Sequence, residues 1–100
     1  MSKEKLNQIK QKALEEHIPI IMDDTLEVIE STLKGKETNS ILEIGTAVGY
    51  SAICFSKFLS ESGFIDTIER DEERILQAKL NINILVLLQQ GQQHKAPIHY

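Results

Sequence analysis

The hydrophobic positions at the amino-terminal end of the chain recur at helical spacing. Residues 2–16 and 23–33 carry apolar side chains at this spacing among charged ones, which predicts two amphipathic helices. Pro19 lies between them and biases the residue before it away from helical geometry, so we expect an extended connector. Gly35 is expected to end the second helix, and residues 36–39 are expected to form a polar loop.

The middle of the chain changes to short apolar runs. Residues 41–44 and 64–68 are predicted strands, and the mostly apolar residues 50–59 between them are predicted to form a helix that Gly63 closes. Helical spacing returns at residues 71–81. Strand, helix, strand and helix joined by short loops indicate two parallel strands with a right-handed crossover. The sequence therefore predicts an α/β fold in which helices precede a parallel β-α-β-α unit.

The last part of the chain is ambiguous. Its apolar run at residues 82–88 would either prolong the preceding helix or supply a third strand, and periodicity does not decide between them. A polar segment with four glutamines follows and is expected to be poorly ordered. We therefore divide the chain into amino-terminal helices at 1–35, a β-α-β-α unit at 36–83, and an atypical, poorly ordered tail at 84–100.

Composition and charge exclude several classes of protein. The net charge of −4, with scattered lysines, gives no electrostatic footprint for a nucleic acid. The longest apolar run falls well short of the roughly 20 residues that span a bilayer, so no membrane partner is expected. The amino terminus lacks the apolar core of a signal peptide. Cys54 is the single cysteine and cannot form an internal disulfide, so a cytoplasmic location is expected.

The motif Glu43-x-Gly45-x-x-x-Gly49 is the most informative feature of the chain. A strand that runs into a helix brings unpaired N–H groups to one point, and glycine lets a ligand approach the backbone there. Ala47 stands where a dinucleotide fingerprint has its second glycine, and no P-loop lysine follows, which favours a cofactor without phosphate. Glu69, at the end of the second strand, is placed to accept hydrogen bonds from ribose hydroxyls. Glu43 suits a cationic or amine-bearing ligand.

This combination resembles class I methyltransferases that use S-adenosylmethionine, although a tight turn that binds nothing is the structural alternative. Residues 41–53 and 67–72 are similar to small bacterial O-methyltransferases related to the catechol and caffeoyl-CoA O-methyltransferases. The resemblance covers roughly residues 5–83 and implies an incomplete Rossmann-like methyltransferase fold. It implies cofactor-binding roles for seven residues. Ser51 would hold the methionyl carboxylate, Glu69 the ribose, and Ile18 would cover one side, while the others lie around the turn at Glu43, Gly45, Thr46 and Gly49.

The resemblance also implies what the complete family does. Its members transfer the methyl group to a hydroxyl of a small aromatic molecule or of a tRNA hydroxyuridine, with the help of a divalent metal such as Mg²⁺. No aspartate or glutamate follows residue 83, so the acidic metal ligands of that family are absent and no catalytic or metal-binding residue is assigned. We expect a truncated O-methyltransferase that keeps its cofactor motifs. The alternatives are a non-catalytic cofactor-binding remnant and an interaction module.

The same resemblance bears on assembly. In the complete family, the first strand lies between the second strand and a later one that this chain lacks. One edge of the first strand would then be bare, and a bare apolar edge invites pairing with another chain. A homo-oligomer formed through this sheet edge is therefore expected.

Overall fold

The computed structural model describes residues 3–88 and 98–99 of the 100-residue chain. Within them the helices are α1 (Lys3–Glu15), α2 (Asp23–Lys34), α3 (Tyr50–Ser56) and α4 (Glu72–Leu88), and the strands are β1 (Thr38–Ile44), β2 (Leu59–Ile68) and β3 (Ile98–His99). The sheet is parallel, with the order β1-β2-β3. The predicted α/β class with a parallel β-α-β-α unit is confirmed, and the sheet gains a third strand.

The second strand differs most from its predicted bounds. It begins at Leu59, so the predicted helix 50–59 ends early at Ser56, and Gly63 lies inside the strand instead of closing the helix. The register pairs Thr38 with Leu59 and Ser40 with Phe64, so β2 carries three extra residues in this interval and bulges. A Cβ on Gly63 would lie 3.0 Å from the Leu59 Cβ. A side chain at this position would force neighbouring atoms to shift, so the crowded bulge favours glycine.

The last part of the chain also departs from the expectation. Helix α4 continues to Leu88, beyond the boundary predicted at residue 83, so the apolar run prolongs the helix. Within the tail predicted for residues 84–100, Ile98 and His99 pair in parallel with Ile65 and Asp66 of β2. The Ile98 side chain is buried in the core. The remaining tail residues, 89–97 and 100, lie outside the described residues.

Helix α3 occupies the centre of the core. It contacts β2, α4, α1 and α2, so it is enclosed on all sides and its sequence is almost wholly apolar. The buried apolar side chains gather around it from α1 (Ile9, Ala13), from α3 itself (Tyr50, Ala52, Ile53, Cys54, Phe55) and from the other elements (Val48, Ile65, Ala78, Ile82, Ile98). The core thus holds the strand-to-helix turn before α3 firmly against the sheet.

The opposite face of the sheet is exposed. Leu42, Ile44, Phe64 and Ile68 all project to this face, because partners in a parallel register point to the same side, and Ile44 is 80% exposed. In the described part of the chain, β1 pairs with β2 alone, so its other edge is also free. Parallel sheets are usually covered on both faces. These four side chains are called the bare sheet face below.

Among the described helices, none is both long enough and apolar enough to cross a bilayer.

A matched pair of substitutions separates the two faces of the sheet. Ile65→Ala removes a side chain that is fully buried and should destabilise the chain by about 2–5 kcal/mol. Ile44→Ala removes one that is 80% exposed and should change stability by less than about 0.5 kcal/mol. Urea unfolding at low protein concentration measures both values. Equal losses in the two variants would show that the core does not lie on the α3 side.

Candidate functional site

The turn between β1 and α3 has an unusual backbone. Gly45, Ala47 and Gly49 all have positive φ angles, of 92°, 47° and 87°. The N–H groups of Gly45 and Thr46 donate to the Ile68 carbonyl at 2.7 and 3.3 Å, which ties the turn to the carboxyl end of β2. Ala47 thus takes a left-handed conformation of the kind that glycine adopts most easily. The turn therefore has a left-handed residue at position 47 although the sequence has alanine there.

The two glycines of the motif have different surroundings. A Cβ on Gly45 would meet no atom within 4 Å, so this side of the turn is open to a ligand. A Cβ on Gly49 would lie 3.4 Å from the Ala78 Cβ of α4. The sequence predicted that both glycines leave room for a cofactor. The structure shows open space at Gly45, whereas Gly49 lets α4 pack closely against the start of α3.

A cavity of about 190 Å³ lies in front of the turn. It brings together three of the predicted site residues, Gly45, Thr46 and Ser51. The rest of its lining comes from the connector after α1 and from the start of α3, and consists of Pro19, Ile20, Ile21, Ala47 and Tyr50. The sequence analysis did not assign those five residues to the site, although the apolar run after Pro19 could have indicated an apolar wall.

The structure does not place Ile18 in this cavity. Its side chain lines two cavities on the other side of the turn, next to Val48. The Ile18 N–H donates to the Ala13 carbonyl at 2.9 Å, so the chain is still held against α1 at this point and reaches the glycine turn only after Pro19. Ile20 and Ile21, which follow Pro19, line the cavity beside Gly45 instead.

Glu43 is half-buried and accepts hydrogen bonds from two hydroxyls. Ser51 donates to its Oε2 and Thr67 donates to its Oε1 at 2.9 Å. The Thr67 hydroxyl also contacts the Thr46 hydroxyl. Because the one hydroxyl proton of Thr67 points to Glu43, Thr46 must be the donor in this second bond. Burial raises the pKa of Glu43 above its ordinary value of 4.5, and the hydrogen bonds from Ser51 and Thr67 act in the opposite direction.

Glu69 follows directly after β2 and is held by the backbone. Its Oε1 accepts the Ala47 N–H at 2.8 Å and its Oε2 accepts the Asp71 N–H at 3.1 Å. These bonds, that of Ala47 first, lower the pKa of Glu69 below 4.5. The Arg70 N–H contributes in the same direction, and because a carboxylate has about four acceptor positions, these backbone groups do not use all of them. The turn therefore stands between two oriented carboxylates, Glu43 on one side and Glu69 on the other.

Two other ionisable groups, the Tyr50 hydroxyl and the Cys54 thiol, lie on α3. Burial, as the largest cause, raises the pKa of the Tyr50 hydroxyl to about 12 and that of the Cys54 thiol to about 11. Both groups are therefore protonated at neutral pH. Cys54 is a buried packing residue and not a nucleophile. These two side chains therefore add no reactive group to the candidate site.

Across residues 3–88 and 98–99, no group of three or more histidine, cysteine, aspartate or glutamate side chains is placed to hold a metal ion. These residues do not fit the divalent metal that the resemblance implied for the complete family, and none of the roles given below involves one.

Comparison with known proteins identifies a family and a similar curated protein. Residues 7–93 match the family model described as protein-L-isoaspartate(D-aspartate) O-methyltransferase (PCMT). A protein-L-isoaspartate O-methyltransferase from Fervidobacterium nodosum is 45% identical over 53 residues, which are 53% of this chain and 27% of that protein.

Solved structures share the fold over nearly the whole chain. A putative caffeoyl-CoA O-methyltransferase from Staphylococcus aureus is 28% identical with a TM-score of 0.75, over 99% of this chain and 43% of its own. An O-methyltransferase from Bacillus cereus in complex with SAH has a TM-score of 0.78 at 23% identity, over the same shares of the two chains. The chain thus spans less than half the length of these structures and about a quarter of the curated relative. The incomplete Rossmann-like methyltransferase fold is confirmed.

The need for glycine at Gly49 can be tested by adding one methyl group there and, as a control, at Gly35 after α2. Gly49→Ala should destabilise the chain by about 1–2 kcal/mol, because an L residue is strained at a φ of 87°. Gly35→Ala is the control, since Gly35 has a φ of −81°. It should be neutral or stabilising by about 0.4–1 kcal/mol. Urea denaturation midpoints measure both changes in stability. If Gly35→Ala were destabilised and Gly49→Ala were not, the conclusion that Gly49 requires glycine would be wrong.

Proposed function

Because the chain belongs to the protein-L-isoaspartate(D-aspartate) O-methyltransferase family, we propose that its glycine turn binds S-adenosylmethionine. The observation that carries the proposal is the open backbone at Gly45 between the oriented carboxylates of Glu43 and Glu69. In this proposal the chain supplies the cofactor-binding part of an enzyme that methylates oxygen. The activity of its relatives is not carried over whole, since the chain spans less than half of their length.

Each end of the cofactor has a matching group. The cavity beside Gly45 would take the methionyl end, with the Glu43 carboxylate facing its ammonium group and the Ser51 hydroxyl donating to its carboxylate. The cavity, at about 190 Å³, is smaller than the roughly 300–1,000 Å³ of typical small-molecule sites. The nucleoside would therefore extend outside it, where the remaining acceptor positions of Glu69 would bind the ribose hydroxyls. Thr46 and the apolar Ile20 and Ile21 line the cavity wall.

The chemistry that this cofactor supplies is transfer of its sulfonium methyl group to an acceptor, which leaves S-adenosylhomocysteine. The names of the relatives specify O-methylation of different acceptors, and the chemistry they share is transfer to oxygen. We propose an oxygen acceptor for the enzyme to which this chain contributes. A small hydroxylated aromatic molecule, a tRNA hydroxyuridine and an isoaspartyl peptide are the substrate classes to assay.

The second candidate function is cofactor binding without methyl transfer. It is favoured by the protonated state of Tyr50, which lines the cavity, and of Cys54 on the same helix, because neither group can then act as a base or a nucleophile. A truncated enzyme that retains its cofactor site would behave in this way. Incubation of the chain with methyl-labelled S-adenosylmethionine and each substrate class separates the candidates, since transfer of label supports the first and binding without transfer supports the second.

Cofactor binding itself can be measured by calorimetry with S-adenosylhomocysteine. The wild-type chain should bind it, and Glu69→Gln should weaken binding by about 10- to 100-fold, because a charged acceptor for the ribose hydroxyls is lost. Glu61→Gln, an exposed carboxylate on the same strand, is the matched control and should bind like the wild type. If the wild type binds and Glu69→Gln binds equally well, Glu69 is not part of the binding site. If the wild-type chain does not bind, the proposed function is overturned.

We further propose that the bare sheet face and the free edge of β1 pair with a second copy of the chain. Exposed apolar side chains on an unpaired strand favour such association. Analytical ultracentrifugation should find a dimer or larger oligomer, and Ile44→Lys should convert it to a monomer. Val28→Lys changes a side chain that is 66% exposed on α2 and should leave the assembly intact. A wild-type monomer at all concentrations would contradict this proposal.

The cytoplasm is the compartment that we propose. The single cysteine, buried and unpaired as a thiol, fits a reducing environment. Cell fractionation that recovers the chain with secreted or membrane fractions would overturn it.

A further inference from the structure

Thr67 has a place in the site that none of the predicted binding residues shares. It is 2% exposed on β2, does not line the cavity, and lies between two other polar side chains. It donates to Glu43 Oε1 at 2.9 Å and receives a hydrogen bond from Thr46. A buried hydroxyl that completes a hydrogen-bonded chain is costly to lose, because water cannot replace it there.

Counting hydroxyl protons separates Thr67 from Ser51. Each hydroxyl has one proton to donate, and that of Ser51 points to Glu43 in this structure. If Ser51 donates to the carboxylate of the cofactor, it must turn away from Glu43. Glu43 would then keep one of its two hydroxyl donors, that of Thr67.

We propose that Thr67 is a positioning residue, which holds the Glu43 carboxylate in place while Ser51 moves its hydrogen bond from Glu43 to the cofactor. The inference rests on the proposed function, because it assigns Glu43 and Ser51 to the two charged groups of the methionyl end. The Thr46 hydroxyl completes the arrangement, since its bond to Thr67 Oγ1 fixes the direction in which Thr67 donates.

The electrostatic surroundings of Glu43 make these hydroxyls important. The Cys54 thiol on α3 interacts electrostatically with Glu43. Burial is the main cause that raises the pKa of this thiol to about 11. The charge of Glu30 on α2 raises it further, and the charge of Glu43 is a smaller cause. This thiol is neutral at physiological pH and gives Glu43 no opposite charge. The hydrogen bonds from Ser51 and Thr67 are the interactions that offset the burial of the carboxylate.

The chain offers matched variants for the test. Thr67→Val removes the hydroxyl and keeps the branched shape, whereas Thr67→Ser keeps the hydroxyl and loses the methyl group. Thr38→Val is the control, because the Thr38 hydroxyl is buried in β1 with no hydrogen-bond partner in the described structure. The first readout is the pKa of Glu43, which is measured by NMR of its labelled side-chain carboxyl carbon. The second is the affinity for S-adenosylhomocysteine by calorimetry.

In Thr67→Val the pKa of Glu43 should rise above its wild-type value, because a hydrogen bond to the ionised form is lost. The affinity for S-adenosylhomocysteine should fall by about 10- to 100-fold. Thr67→Ser and Thr38→Val should stay close to the wild type in both readouts. An unchanged Glu43 pKa in Thr67→Val, or a Thr67→Ser variant as impaired as Thr67→Val, would overturn the proposal, since the hydroxyl would then have no special role.

The two readouts also distinguish this inference from the proposed function. A wild-type chain that does not bind the cofactor overturns the proposed function, and with it the exchange by Ser51, while the pKa readout still decides whether Thr67 holds Glu43. If Thr67→Val does not fold, the wild-type chain provides the test. Its Thr67 methyl resonance should follow the titration of Glu43 at the same pH midpoint, and a resonance that does not respond would overturn the proposal.

Discussion

The hydrogen bond from the Gly45 N–H to the Ile68 carbonyl is the contact on which the site depends. It joins the carboxyl ends of β1 and β2, where the register already pairs Ile44 with Ile68. The turn that follows Gly45 is therefore fixed relative to the strand end that leads into Glu69. Because α3 starts from this turn and is enclosed by the core, the position of the binding groups is set by packing as well as by hydrogen bonds.

Sequence patterns predicted the parts of the structure that depend on local rules. Gly45 and Glu69 could be placed because a glycine turn after one strand and a carboxylate after the next are recognisable by spacing. The bulge near Gly63 could not be placed, because it is a shift in the pairing of β1 with β2 that only the folded sheet reveals. Thr67 was also missed, since a threonine inside an alternating strand carries no signal of the carboxylate that it will contact.

Contacts distant in sequence account for the remaining differences. Ile98 enters the sheet beside Ile65, 33 positions earlier, and nothing in the polar segment before it predicts that pairing. The change from Ile18 to Ile20 and Ile21 at the cavity has the same origin, because the hydrogen bond to Ala13 determines where the connector leaves α1. Spacing located the four helices and the first two strands approximately, whereas tertiary contacts set their ends and added the third strand.

The structural role of Glu69 and its proposed role in binding are subject to different selective pressures. Its carboxylate joins the left-handed Ala47 to Asp71, and so it stabilises the turn whether or not a ligand is present. In many enzymes a binding residue is lost quickly once the activity is lost, because nothing else requires it. Here, selection for a chain that folds would keep Glu69 in place after selection for methyl transfer has ended, and the motif would outlast the reaction.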